Sequence, residues 1–298
     1  MRRSTTGILL LIGIAAAGIL YGLYWFYRVP VALSVENAQR DVFRKEDLVS
    51  GGTPDGGIPS IDAPIFESVG AADQYLKDEG LGLDVEVGGK SRFYPFQILV
   101  WHEVVNDTFG DNPLVVTFSP LTMTGMVFER PDATTVFHVS GALWNNNLVL
   151  FDEGTHSLWS QILGKAVEGV EGVKGTALVA YPSTVSTWTD WKVENPLGEV
   201  LSRDSSTNAN RDYTRDPYGS YYSNPSILFP LTFVDARLPA KKLVCVASDL
   251  SSEALAKGDD GKRTAYPLEY RQRPEDCVQG FWFAFAAAFP EIEIFQLP

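Results

Sequence analysis

LVVTFSPLTMTGMVFERPDATTVFHVSGALWNNNLVLF, residues 114–151, decides the fold class. Within it Leu114–Phe118, Met126–Phe128, Thr135–Val139 and Leu148–Phe151 are short apolar or β-branched runs. Asp132 and the asparagine triplet Asn145–Asn147 supply turn signals between them. Runs of this length and type, bounded by turn residues, read as strands. The expectation is a mainly β (α+β) domain: a β-sandwich or barrel-like core with a few helices packed on it.

The flanks extend that reading. Leu83–Val87 alternates apolar and polar, and Gly88-Gly89 then turns the chain. Ser68 to Gly80 reads as a helix, with Ser68 as its cap and Gly80 as its terminator. The glycine- and proline-dense stretch from Gly51 to Phe66 reads as extended loop. Phe281 to Pro290 is apolar but too short to span a bilayer, so an alanine-rich buried helix stopped by Pro290 fits it. There is also an internal echo. Gly89-Lys90 followed by Tyr94-Pro95 is matched by Gly261-Lys262 followed by Tyr266-Pro267 at identical offsets. Each follows a candidate strand, which suggests two related halves.

The N-terminus has a different character. Gly7 to Tyr27 carries no charge, and a helix of that length rises roughly 30 Å, one hydrocarbon core. Arg2 and Arg3 precede it, and Tyr21, Tyr24, Trp25, Phe26 and Tyr27 crowd its far end like an interfacial belt. A signal peptide is the competing reading, with Ala15-Ala16-Ala17 as the cut. Cleavage there would leave the apolar stub ILYGLYWFY, so an uncleaved single-pass anchor is expected. The expected organisation is an anchor over 1–29, a linker over 30–56 and an exported domain over 57–298. The N-terminus would stay cytoplasmic and the bulk of the chain would face the periplasm of a bacterial inner membrane. Gly18 and Gly22 form a G-x-x-x-G pair, which lets a second helix approach closely.

Net charge is −13, and Arg2 and Arg3 lie outside the exported part. That argues against nucleic acid, whose phosphates need clustered Lys and Arg. It argues equally against lying flat on anionic lipid, and it suits solubility or a basic soluble partner. The two cysteines, Cys245 and Cys277, are expected to form one disulfide in an oxidising compartment. The chain-entropy model gives such a bond ~3–4 kcal/mol. No haem-attachment motif or phosphate loop is present, and no cofactor is expected.

Trp101-His102-Glu103-Val104-Val105-Asn106-Asp107 is the best candidate for chemistry. His102 could act as a base or a metal ligand, oriented by Glu103 or Asp107. The segment is not H-E-x-x-H, because Asn106 stands where the second zinc ligand would. Read as a strand, it sends His102 and Glu103 to opposite faces. A structural histidine is the plainer alternative. Ser119 could be a nucleophile with His102 as base, but no G-x-S-x-G elbow surrounds it. His138 and His156 would have to converge on His102 to build a three-histidine metal site. RDYTRDPYGSYY (211–222) is rich in arginine and tyrosine, the types that dominate interface hot spots. Arg211, Tyr213, Arg215 and Tyr218 are the candidates there for a partner surface, or for an ordered loop held by Arg–Asp pairs.

Several blocks together resemble the domain-of-unknown-function family numbered 3179. They are GIPSIDAPIF (57–66), SRFYPFQILVWHEVVNDTFGDNPLVVTF (91–118), SGALWNNNLVLFDEGTHSLWSQILGKAV (140–167), WKVENPLGEVLS (191–202), RDYTRDPYGSYY and FWFAFAAAFPE (281–291). Their order carries the resemblance, which implies a relative rather than a reaction. Many relatives have C-P-L-C after the central block, where this chain has Ser119-Pro120-Leu121-Thr122. Two thiolates so spaced could bind a soft metal or cycle as a disulfide, and hydroxyls do neither well.

Three functional readings follow. The first is a non-catalytic accessory subunit of a membrane protein complex, such as a photosynthetic or respiratory assembly, with other membrane subunits and the bilayer as partners. The second is an enzyme or a metal- or ligand-binding protein centred on His102, Glu103, Asn106 and Asp107. The third is a docking platform for a basic soluble electron carrier.

Overall fold

The computed structural model describes residues 43–205, 211–247, 263–269, 274 and 277–296. The expected anchor over 1–29, with Gly18 and Gly22, and the linker up to residue 42 lie outside the described residues. Among the described residues no helix is long and apolar enough to cross a membrane.

The strands are β1 (Leu48–Ser50), β2 (Phe66–Ser68), β3 (Leu81–Val87), β4 (Lys90–Pro95), β5 (Val104–Phe109) and β6 (Asn112–Ser119). They continue as β7 (Thr124–Glu129), β8 (Phe137–Trp144), β9 (Asn147–Asp152), β10 (Leu158–Ser160), β11 (Lys165–Glu168) and β12 (Ala180–Tyr181). The last are β13 (Thr184–Thr187), β14 (Glu199–Leu201), β15 (Leu243–Ala247), β16 (Thr264–Pro267), β17 (Val278–Phe281) and β18 (Glu293–Ile294). Among the described residues five short helices join them: α1 (Val69–Ala72), α2 (Phe96–His102), α3 (Gly169–Lys174), α4 (Trp188–Glu194) and α5 (Trp282–Ala288). The described chain is therefore mainly β with a few helices.

Four sheets form, with strand orders β1-β8-β9-β10-β11, β12-β7-β6-β5, β13-β3-β4-β14-β2 and β17-β15-β16-β18. Each is open, so the barrel-like closure expected from the sequence is not present among the described residues. The first and last strands of each order, such as β1 and β11, do not pair with each other. The sheets bury their faces against one another instead. Val104, Val115, Met126 and Phe128 of the β5–β7 sheet share one core with Phe137, Val139, Leu148, Leu150 and Trp159. On its other face, Val105, Leu114, Val116, Phe118 and Val127 pack with Leu83, Val85, Tyr94 and the apolar side of α2. β6 is thus covered on both sides, which is why its core reads as the continuous run LVVTF rather than as an alternation.

The asparagine triplet makes a two-residue hairpin. Trp144 pairs with Asn147, and Asn145 and Asn146 between them have φ of 52° and 65°. That is the left-handed pair a type I′ turn needs and asparagine tolerates. Their side chains then hold a distant segment: Asn146 Oδ1 accepts from the Phe229 amide (2.9 Å), and Asn145 Oδ1 accepts from that of Thr232 (2.7 Å).

Other expectations meet mixed outcomes. Ser68 does cap a helix, accepting from the Ala71 amide, but α1 ends at Ala72 rather than at Gly80. Beyond it Asp73 turns away to accept from the Trp188 indole and from Lys192. Leu48–Ser50 pairs with β8, so the end of the expected linker belongs to a sheet. Both echo segments form antiparallel pairs, with Leu83 opposite Tyr94 and Cys245 opposite Tyr266. α5 is buried along its whole length. Cys245 and Cys277 are disulfide-bonded, Cα atoms 5.4 Å apart, tying β15 to the residue before β17.

Candidate functional site: a buried carboxyl beneath a tyrosine loop

α2 begins after Pro95, whose fixed φ of −62° suits a helix entry. It ends at His102, and Glu103 caps it in the left-handed region at φ 60°, its amide bonded to the Leu99 carbonyl. Glycine usually fills that position, and another residue there costs about 1 kcal/mol. The strand reading of Trp101–Glu103 is therefore corrected: β5 starts only at Val104. The apolar spacing of FQILVW on a packed helix face outweighs its β-branched content.

His102 is fully buried. Its Nδ1 lies 2.8 Å from the Pro59 carbonyl oxygen and its Nε2 lies 2.7 Å from the Tyr213 hydroxyl. A carbonyl can only accept, so Nδ1 carries the hydrogen and Nε2 accepts from Tyr213. Burial lowers the imidazole pKa, and nearby Arg211 lowers it further. A neutral ring with both nitrogens engaged has no lone pair free for a metal or a proton.

The other candidates are equally committed. Asp107 accepts from Arg92 (2.8 Å), from the Tyr94 hydroxyl (2.6 Å) and from the Thr108 amide (2.7 Å). The Asn106 amide group donates to Asp62 and to the Phe137 carbonyl. Ser119 Oγ accepts from the Leu148 amide at 3.2 Å, so no Ser119–His102 pair forms. His138 meets Ser60, and His156 stacks on Phe151. Among the described residues no three His, Cys, Asp or Glu side chains are grouped to hold a metal ion.

Glu103 differs. It is 4% exposed, and the Tyr218 hydroxyl donates to its Oε1 at 3.3 Å. Burial raises its pKa to about 8, against a smaller opposing effect of that hydrogen bond. Burial also raises Tyr218 and Tyr222 well above an ordinary phenol. The carboxyl is therefore held neutral near pH 7 among phenols.

The loop that brings Tyr218 is the arginine–tyrosine stretch. Arg211 lies 5.5 Å from the Trp101 ring, and the Trp101 indole donates to the Arg215 carbonyl. Tyr213 reaches His102, and Asp216 Oδ1 accepts from the Tyr218 amide. Two stretches that the sequence offered as separate candidates thus form one site. Arg211, Tyr213 and Tyr218 use their side chains within the domain, while the Arg215 side chain is left at the surface.

A model of proteins of unknown function (DUF3179) matches residues 55–267. The chain belongs to this family. No curated protein and no solved structure is similar to it. The matched span takes in α2, the β5–β7 sheet and the tyrosine loop.

Ser119–Thr122 runs into a buried polar seam between β6–β7 and β9–β10. Asn147 Nδ2 lies 3.0 Å from both the Thr122 and Thr124 hydroxyls and 2.8 Å from Gln161 Oε1. Gln161 Nε2 reaches the Thr117 hydroxyl at 3.0 Å, and the Ile162 amide donates to Asn147 Oδ1. Thr117, Thr122, Thr124, Asn147 and Gln161 are each at most 1% exposed. No sequence spacing pointed to this seam, because its members lie on four separate segments.

Proposed function

We propose that this protein is a non-catalytic accessory subunit, anchored by residues 1–29 in a bacterial inner membrane and bracing a membrane protein complex from the periplasmic side. The observation that carries the reading is the double engagement of His102. The residue best suited to acid–base or metal chemistry acts as a clamp, joining the Pro59 segment to Tyr213 of the loop. Asp107, Asn106 and Ser119 are likewise occupied in holding strands and turns together. A disulfide-tied, laminated β body suits a brace, and the charge-free run from Gly7 to Tyr27 supplies the membrane attachment.

The experiment is mild-detergent extraction of native membranes, capture of this protein, and mass spectrometry with metal analysis of the same sample. Stoichiometric membrane partners are the expected result. A lone protein that carries metal would overturn the reading.

A further inference from the structure

Beneath the tyrosine loop lies a cavity of about 240 Å³. Its apolar wall is built from Leu81, Phe96, Val100 and Phe118, and Tyr213, Met123 and Tyr222 complete it. Phe96 and Phe118 are stacked on each other, with ring centroids 4.1 Å apart. Met123 and Tyr222 also line a second cavity of about 390 Å³, beside Lys241 and Phe281, so these two side chains divide two hollows. Met123 is held at φ 53°, which a non-glycine residue rarely adopts. Methionine is the most adaptable of apolar side chains, and a partition made of it can be re-formed around an occupant.

The polar groups at this cavity are unevenly satisfied. Lys77 and Arg215 border it, both exposed, and neither makes an ion pair among the described residues. Asp216 borders it too, but one of its oxygens accepts from the Tyr218 amide. The Tyr222 hydroxyl has no hydrogen-bond partner among the described residues. A pocket with an aromatic lining, two exposed cations at its mouth, of which Arg215 acts also on Asp212 but within no ion-pair distance, and a phenol selects an occupant with an aromatic body and an anionic end.

We propose that this cavity binds a small aromatic carboxylate. The ring lies against Phe96, Phe118 and Tyr222, and the carboxylate meets Arg215 and Lys77. The volume admits one or two fused rings. The inference is independent of whether the protein braces a complex, because it concerns a pocket within one chain.

The test is calorimetric titration of the full chain in nanodiscs with 2-naphthoate, and with the neutral 2-naphthamide as comparator. Saturable binding of 2-naphthoate is expected, with a Kd on the order of 0.1–1 mM for a ligand of this size. The amide, and a K77A/R215A variant with the carboxylate, should each bind roughly tenfold more weakly, the loss of a charge-assisted contact. Leu81→Trp, which fills the cavity, should abolish binding while the melting temperature shows that the fold is kept. Should Leu81→Trp not fold, the surface variant and the amide still decide the matter. Absence of saturable binding overturns the proposal, as does binding that is indifferent both to the charge of the ligand and to Lys77 and Arg215.

Discussion

The Tyr218 hydroxyl stands 3.3 Å from Glu103 Oε1, joining the cap of α2 to a loop that follows it by 115 positions. Around that contact the protein keeps a carboxyl out of water with no cation bonded to it among the described residues. Its protonation is therefore linked to folding.

Burial raises the Glu103 pKa in the folded protein to about 8, against 4.5 in the unfolded chain. The fold favours the protonated form. The stability that this group contributes is fully present below about pH 4.5 and is lost as pH rises through 8, by at most about 1.4 kcal/mol per pH unit. Glu103→Gln removes the titration. Urea denaturation at pH 5 and pH 9 should show the variant gaining several kcal/mol relative to wild type at the higher pH. A difference that stays constant with pH would mean that Glu103 titrates normally.

Arg92 is held between the rings of Phe66 and Phe109, 3.9 and 4.1 Å from their centroids, and pairs with Asp107 at 2.8 Å. Asp107 is 3% exposed, so Arg92→Met leaves a buried carboxylate without its cation. That should cost roughly 3–5 kcal/mol in denaturant titrations. Glu199, the other partner of Arg92, is half exposed, and Glu199→Gln should cost under ~1 kcal/mol. Equal losses for the two variants would contradict the burial argument.

The Asn147 side chain bonds to four groups of the polar seam, those of Thr122, Thr124, Gln161 and Ile162, and its truncation would leave hydroxyl and amide groups buried without partners. Asn147→Ala should lower stability by roughly 2–4 kcal/mol. The midpoint in urea should fall with little change in slope. A loss under 1 kcal/mol would show that water enters the seam.

Gly141 sits at φ 71° within the irregular part of β8, and a Cβ there would lie 2.1 Å from the Thr53 carbonyl oxygen. Gly141→Ala should therefore cost several kcal/mol, combining a left-handed backbone with a collision against main chain. Gly88 has φ 57° but open space around it, so Gly88→Ala should cost only about 1 kcal/mol. Melting temperatures of the two variants separate the steric part from the conformational part.

Strands and turns were legible in the sequence because their cues are local. Leu114–Phe118, Leu148–Phe151 and the Asn145–Asn146 turn carry short-range signals, and β6, β9 and the hairpin form there. The α2 cap was harder to read. FQILVWHEVV has enough β-branched residues to pass for a strand, and only packing against β3 and β6 turns its first part into a helix. The site was legible as two lists of residues and not as one place. Nothing within Trp101–Asp107 indicates that Arg211–Tyr222 closes over it, since that meeting depends on how the sheets stack. Barrel closure is illegible for a related reason: alternation and turn spacing count strands, but they do not say which edges meet.

The double cover of β6 has a consequence for the chain before it folds. Leu114 to Ser119 is a charge-free, β-prone hexapeptide that ends ahead of Pro120, the composition from which intermolecular cross-β stacks are built. The finished protein seals it between two other sheets, but a newly made chain exposes it until strands as distant as β3 and β9 arrive. Assembly is then a race between lamination and clumping, and refolding yield should fall steeply with protein concentration. A lysine in place of Val115 would slow the clumping, but it would place a charge inside the core that Val115 shares with Phe137 and Leu150.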